Sequence, residues 1–329
     1  MKSVVKFIKE RYMVSFTVTK QQEGQELNNL LADIYPDFSK KAMQTAFKKR
    51  FITINGQDAV GRDAVNEGDV VNLYIPGDVL GLDLMPTIVY QDENIIIVDK
   101  PAGLMSRSDS EEVNAVDMVE YYMKKRGEYN LDALMVPYLL YSLDEYVSGL
   151  LVMAKHEDAY LFLAEALNQR RITRYYYCAV QGQAKDSEEL MGYLVREKNS
   201  KRVQILSKFK KDSKPIVTRY QKLAGGDTIS LINARPLTNT LHQVRAHLAY
   251  GGLPVLGDDV YGNARFSKKN GAEYICLWLK SLLFEVGTGH SYAYLNGLRF
   301  ESSKQSFPRC VYEQGLMDGI EEESHKDKG

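Results

Sequence analysis

The stretch YLLYSLDEYVSGLLVMAK places Asp144 between two apolar runs, at the rim of whatever core those runs build. A partly desolvated carboxylate needs a cation close by, and an acid with one cationic partner is a recurrent catalytic arrangement. The same residue also serves as a plain turn aspartate bonded to backbone donors, with Ser148 and Gly149 letting the chain turn. Residue types alone leave both readings open. Tyr176 lies in a run of three tyrosines; if the run is a strand, one of them must face the core, so packing is its first reading. Arg245 falls in a helical stretch, where a surface ion pair is the simplest role. His242 and His247 are five residues apart, misaligned on a helix, which argues against a metal site and for the orientation of backbone or core groups.

These residues must be positioned by a chain that reads as two parts. LNNLLADIY and SKKAMQTAFKKRF carry apolar residues at helical spacing, and Ser39 can cap the second of them. ITINGQDA then reads as a hairpin, with Asn55 and Gly56 supplying the positive φ of a tight turn, and leads through NEGDVV into the strand VVNLYIP. After a linker bearing Gly and Pro, TIVYQDENIIIVDKPAGLM reads as two strands around an acidic turn, and the run NIIIVD fits a strand buried on both faces. AVDMVEYYMKKRG and EDAYLFLAEALNQRR read as amphipathic helices, whereas YYYCAVQG, VTRYQKLAG, TISLINARP and YICLWLKSLLFEV read as strands. The expected class is mixed α/β (α+β), with a mixed, largely antiparallel central sheet flanked by helices and loops. The expected boundaries are residues 1–79 for the small domain with its N-terminal extension, 80–85 for the linker, 86–315 for the main domain and 316–329 for a disordered acidic tail.

Composition narrows the class without naming it. With 329 residues and 44% hydrophobic content, the chain can bury a large core and a small accessory one. No run of 18 or more apolar residues occurs, so no membrane span is expected and the cytoplasm is the expected location. Cys178, Cys276 and Cys310 are scattered without CxxC pairing, which points to neither a disulfide framework nor a zinc cluster. The net charge of −1 does not mark a nucleic-acid binder, but its distribution is uneven. Arg196, Lys198, Lys201, Arg202, Lys208, Lys210, Lys211 and Lys214 are opposed only by Glu197 and Asp212, and a charge run of this kind is either a solvated face or an electrostatic footprint.

The order of the motifs goes further. The first part, two helices ending in basic residues followed by a strand with NG and a later GD, resembles the alpha-L RNA-binding domain of a small-subunit ribosomal protein. That resemblance implies phosphate contacts from Lys40, Lys41, Lys48, Lys49 and Arg50. In the second part, YQDENIIIVDKPAGL, YSLDEYVSGLLVMAK, RYYYCAVQG and LTNTLHQVRAHLAYGGLPVLGDDVYG follow the order of motifs in the RluA family of pseudouridine synthases. The resemblance spans nearly the whole chain. It implies isomerisation of uridine to pseudouridine in structured RNA, large-subunit ribosomal RNA or transfer RNA, with no metal or organic cofactor; a monomer is the default expectation. Asp144 matches the family's catalytic aspartate, Tyr176 the tyrosine that packs against the target base, and Arg245 the arginine that pairs with the aspartate. A carboxylate can act as nucleophile at C1′ or as base at C2′, and an arginine keeps it ionised and oriented.

The departures from the family pattern concentrate near the RNA. HRLD is YSLD here, so Tyr141 and Ser142 replace a histidine and the arginine that reaches into RNA beside the extruded nucleotide. TGR is TNT, with Thr240 in place of a basic residue, LHA is LWL around Trp278, and TSG is VSG with Val147. The TNT and LWL changes are expected to remove polar groups near RNA and to shift the grip onto 196–214 and the small domain. A catalytically impaired RNA-binding protein, or a ribosome-assembly factor that kept the fold, stands as the alternative.

Overall fold

The computed structural model describes residues 13–36, 38–48, 50–74, 85–108, 113–196, 202–226, 228–272, 274–302 and 315–317. The chain divides into two compact units, Met1–Met85 and Pro86–Gly329.

The first unit runs β1 (Met13–Thr17), α1 (Leu27–Ile34), α2 (Lys40–Lys48), β2 (Ile52–Ile54), β3 (Gln57–Asp58) and β4 (Val70–Tyr74). Its sheet has the order β1-β4-β2-β3. Ser39 Oγ accepts from the backbone N–H of Ala42 at 3.2 Å, the cap that starts α2. Asn55 and Gly56 take φ of 53° and 80°, and the Asn55 carboxamide ties the turn to Asp69 Oδ1 and to Val70 N–H. Leu27, Leu30 and Leu31 of α1 pack with Met43, Ala46, Ile52, Val71 and Leu73 into a closed core. β1 is absent from the sequence reading; it is an edge strand defined by its pairing with β4.

The second unit runs β5 (Ile88–Gln91), β6 (Ile95–Lys100), α3 (Ala115–Lys125), β7 (Tyr138–Leu139), β8 (Ser148–Ala154), α4 (Glu157–Asn168) and β9 (Ile172–Gln181). It continues through β10 (Ser187–Arg196), β11 (Val203–Leu206), β12 (Lys214–Gly225), β13 (Ile229–Pro236), α5 (Gln243–Tyr250), α6 (Ala264–Lys269), β14 (Leu277–Phe284) and β15 (Arg299–Glu301). Among the described residues, eleven strands form one sheet in the order β11-β10-β12-β13-β9-β14-β8-β6-β5, with β15 on β14 and β7 on β8. The β8–β14 pair is parallel and the other pairs are antiparallel, as the expected mixed sheet requires. Every residue of β6 and of β8 is buried, which is what their unbroken apolar runs demand.

Three local expectations change. Ser148 and Gly149 do not turn the chain; they are the first two residues of β8. Gly149 has φ of 117°, and a Cβ there would lie 2.2 Å from the Leu279 carbonyl oxygen of the neighbouring strand, so the glycine serves close backbone approach. The basic residues of 196–214 flank β11, which pairs with β10; neither strand was read from the sequence. Leu316 and Met317, assigned by sequence to the tail, are buried in a cluster with Trp278 and Cys276, and the remainder of 316–329 lies outside the described residues. Among the described residues, no helix is long and apolar enough to cross a membrane.

Gly149→Ala should destabilise the protein by at least about 2 kcal/mol, because the added methyl meets backbone and the φ is disfavoured. Denaturant titration checks this, and a wild-type midpoint would show that the strands can part without loss.

Candidate active site

Asp144 sits in the loop before β8, and that loop is nailed down from beneath. Lys100, the last residue of β6, is buried, and its ammonium donates to the carbonyls of Leu104 at 2.6 Å, Pro101 at 3.0 Å and Glu145 at 3.0 Å. The backbone N–H of Gly103 also donates to Glu145 O. Ser106 Oγ donates to Leu143 O at 2.7 Å and accepts from Leu143 N–H at 2.9 Å. A buried ammonium is tolerable because several carbonyl dipoles replace water, and the result is a rigid seat on both sides of Asp144.

The cation that meets Asp144 comes from α5. Arg245 Nη1 donates to Asp144 Oδ2 at 2.7 Å, while its Nε and Nη2 grip Asp258 in a fork, each at 2.8 Å. Asp258 is fully buried at its side chain, and its Oδ1 also accepts from the N–H groups of Val260 and Tyr261. Gly257 makes this turn possible: it has φ of 78°, and a Cβ there would lie 1.7 Å from the Tyr274 carbonyl oxygen. Burial disfavours both charges, yet the fork overcomes it. Arg245 is held above the ordinary arginine range by Asp258 and then Asp144, and Asp258 is held below the ordinary carboxylate range by Arg245. Asp144 itself is 28% exposed, so it alone of the two carboxylates faces the cleft.

His242, which precedes α5 with φ of 52°, adds a second contact. Its Nε2 stands 3.5 Å from Asp144 Oδ1, and its Nδ1 is 3.0 Å from the Tyr261 hydroxyl. That hydroxyl also accepts from Val203 N–H. Burial lowers the His242 pKa against the pull of Asp144. The Tyr261 ring lies 5.5 Å from the Arg245 guanidinium. Gln243 locks the preceding loop: its Oε1 accepts from the hydroxyls of Thr238 and Thr240, and its Nε2 donates to Val217 O and Thr218 Oγ1.

Asp144, Tyr176 and Arg245 line one cleft of about 290 Å³, as do Ser142, His242 and Thr240. Tyr176, on β9, is buried, and burial raises its hydroxyl pKa while Arg174 opposes the rise. Tyr141, which replaces the family's histidine, is buried with its hydroxyl donating to Leu150 O, and the Arg174 guanidinium lies 5.2 Å from its ring centre. Ser142 is exposed at the cleft. Trp278 corrects an expectation. It is buried, its indole N–H donates to Ser302 Oγ, and that hydroxyl donates to Asp99, so the LWL change is one of core packing and removes nothing from an RNA face.

The residues expected to hold RNA backbone are spread over both units. Lys40, Lys41, Lys48 and Arg50 are exposed on and just after α2, Arg50 being paired with Asp58; Lys49 lies outside the described residues. Arg196, Lys208, Lys210 and Lys211 are exposed in the second unit, and Lys198 and Lys201 lie outside the described residues. Arg202 donates to Val260 O and stands 5.8 Å from the Tyr261 ring, so it braces the Asp258 turn. Sequence reasoning missed the part played by Asp258, Tyr261 and Lys100. Their motifs, GDDVYG and KPAG, were visible, but which atoms they hold is a tertiary fact. Among the described residues, no group of three or more His, Cys, Asp or Glu side chains is placed to hold a metal ion.

Residues 94–250 match the family model described as RNA pseudouridylate synthase. It is 25% identical over 264 residues to an uncharacterised RNA pseudouridine synthase of Bacillus subtilis, covering 78% of this chain and 86% of that protein. It is 24% identical over 310 residues to ribosomal large subunit pseudouridine synthase D of Xanthomonas campestris, covering 92% and 90%. Human RNA pseudouridylate synthase domain containing 4 shares the fold with a TM-score of 0.55 at 19% identity, over 69% of this chain and 92% of that one.

Asp258→Ala should cost about 3–5 kcal/mol, because it strands a buried guanidinium. Chemical denaturation measures it, and a loss below 1 kcal/mol would mean that the fork is not what seats Arg245. A pH effect follows from His247 on the inner face of α5. It is buried, its Nδ1 lies 3.0 Å from Thr218 Oγ1, and burial pushes its pKa from 6.5 down to about 4. The folded state therefore binds fewer protons, so this contribution to stability is whole above about pH 6.5 and is lost as pH falls toward 4, by on the order of 3 kcal/mol. Unfolding curves at pH 7 and 4.5 should show the loss, and His247→Asn should flatten it; an equally steep fall in that variant would place the sensitivity elsewhere.

Proposed function

We propose that this chain isomerises uridine to pseudouridine in structured RNA, with large-subunit ribosomal RNA as the substrate class and Asp144 as the catalytic carboxylate. The observation that carries the reading is the Arg245 fork, which fixes Asp258 at its back and presents Asp144 at the floor of a cleft walled by Tyr176. The reaction breaks the bond from N1 of uracil to C1′, turns the base, and joins C5 to C1′, while the proton on C5 leaves and N1 gains one. Asp144 serves this as nucleophile at C1′ or as base at C2′. Arg245 holds one of its oxygens in place, and His242 Nε2 stands 3.5 Å from the other. Tyr176 offers an aromatic face against which a detached base can stack, which keeps it from leaving while no glycosidic bond holds it.

The large relatives named as acting on the ribosomal large subunit support the substrate class. Under this reading the small unit is the docking domain, with Lys40, Lys41, Lys48 and Arg50 as phosphate contacts that position without reading sequence. The enzyme works as a monomer in the cytoplasm and uses no metal or organic cofactor.

Incubated with total RNA from a strain lacking the protein, the purified chain should create pseudouridine detectable by chemical mapping. Asp144→Asn should lower the rate at least about a thousandfold while leaving RNA binding intact. Full activity in that variant would remove Asp144 from the chemistry; binding without modification by the wild type would make the chain an RNA-binding protein that kept the fold.

A further inference from the structure

A second cleft of about 320 Å³ adjoins the first, and Arg174, Pro236, Thr238, Asn239 and Thr240 line both. Its other walls carry Arg170, Arg235 and Lys214, so four cations and no carboxylate face it. Among the described residues, none of the four is ion-paired. Arg174 is only 8% exposed, with the rings of Tyr141 and Tyr176 as its neighbours. Arg235 reaches only the Thr173 hydroxyl, at 3.1 Å, and lies 5.9 Å from the Tyr175 ring. Holding a buried guanidinium without a counter-charge is costly, and the cost is recovered only when an anion arrives.

From this we infer that the second cleft binds a backbone phosphate of the RNA strand, next to the nucleotide seated over Asp144; the inference rests on the proposed activity for what fills the first cleft. The occupant is a phosphate and not a base, because the lining of Leu167, Ile172, Pro215 and Leu237 presents no aromatic face on which a base could stack, whereas planar guanidinium forks match phosphate oxygens. Arg174 stands at the junction of the two clefts, so the sugar-phosphate chain leaving one enters the other. Lys214 opens β12 directly after the basic turn with Lys208, Lys210 and Lys211, which extends the positive track outward. The cleft thereby supplies, from β9 and β13, a cationic hold on the strand that Ser142 no longer offers beside Asp144.

The test measures binding of a fluorescein-labelled oligouridylate of about nine nucleotides by anisotropy over a salt series, using the full chain. Arg170→Ala/Arg235→Ala alters side chains that are exposed or half-exposed, and its thermal midpoint is recorded alongside. Lys268→Ala/Lys269→Ala removes the same charge from the exposed end of α6, away from both clefts. The cleft variant should bind about tenfold more weakly at 0.1 M salt, and its plot of log affinity against log salt should be shallower by about 1.4, the value for two lost contacts to a single strand. The α6 variant should match the wild type. Equal losses in the two variants, or none in the cleft variant, would overturn the inference. Because Asp144→Asn binds without turning over, the same titration in that background separates a failure of the phosphate site from a failure of the proposed chemistry.

Discussion

The structure of the second unit converges on one guanidinium. Arg245 has a fork on Asp258 and a single bond to Asp144, and the two carboxylates differ because one is sealed in the core and the other borders a cleft. The division of labour follows from burial. Asp258 neutralises Arg245 where water cannot, which leaves Nη1 to orient the carboxylate that borders the cleft. Each supporting element serves this geometry: the Lys100 ammonium seats the Asp144 loop, the Gly257 turn aims Asp258, and Gln243 binds the segment that leads into α5.

The departures from the family pattern acquire a physical sense in three dimensions. Tyr141 fills the place of a histidine with a larger ring whose hydroxyl is satisfied by a backbone carbonyl and whose face supports Arg174. Thr240, in place of a basic residue, donates its hydroxyl to Gln243 and so holds the loop instead of reaching for RNA. Beside Ser142 and Thr240, Arg174 on β9 and Arg235 on β13 carry the positive charge of the adjoining cleft.

Most of the architecture could be read from periodicity. The buried strand NIIIVD, the hairpin turn at Asn55 and Gly56, the Ser39 cap and the two long helices of the second unit all follow from local rules, and all are present. β10 and β11 escaped because SEELMGYLVR interrupts its apolar residues with acids and a glycine, and VQIL is only four residues long beside a basic turn. Gly149 was misread for a related reason. A glycine after a serine signals a turn locally, whereas here it makes room for a strand more than a hundred residues away.

By itself the sequence determined the residue types, the order of motifs and the match of Asp144, Tyr176 and Arg245 to a family, because those are properties of linear order. Only the tertiary structure decided that Arg245 answers to Asp144, Asp258 and the exposed Asp259, that Asp258 is the buried one, that Trp278 belongs to the core, and that four cations with no ion pair among the described residues line a second cleft. Charge pairing and burial are set by distances in space: the Asp144–Arg245 pair joins residues 101 apart in sequence and the Arg245–Asp258 fork residues 13 apart. Such distances have no signature in spacing, which is why the residue types were legible in the sequence and their electrostatics were not.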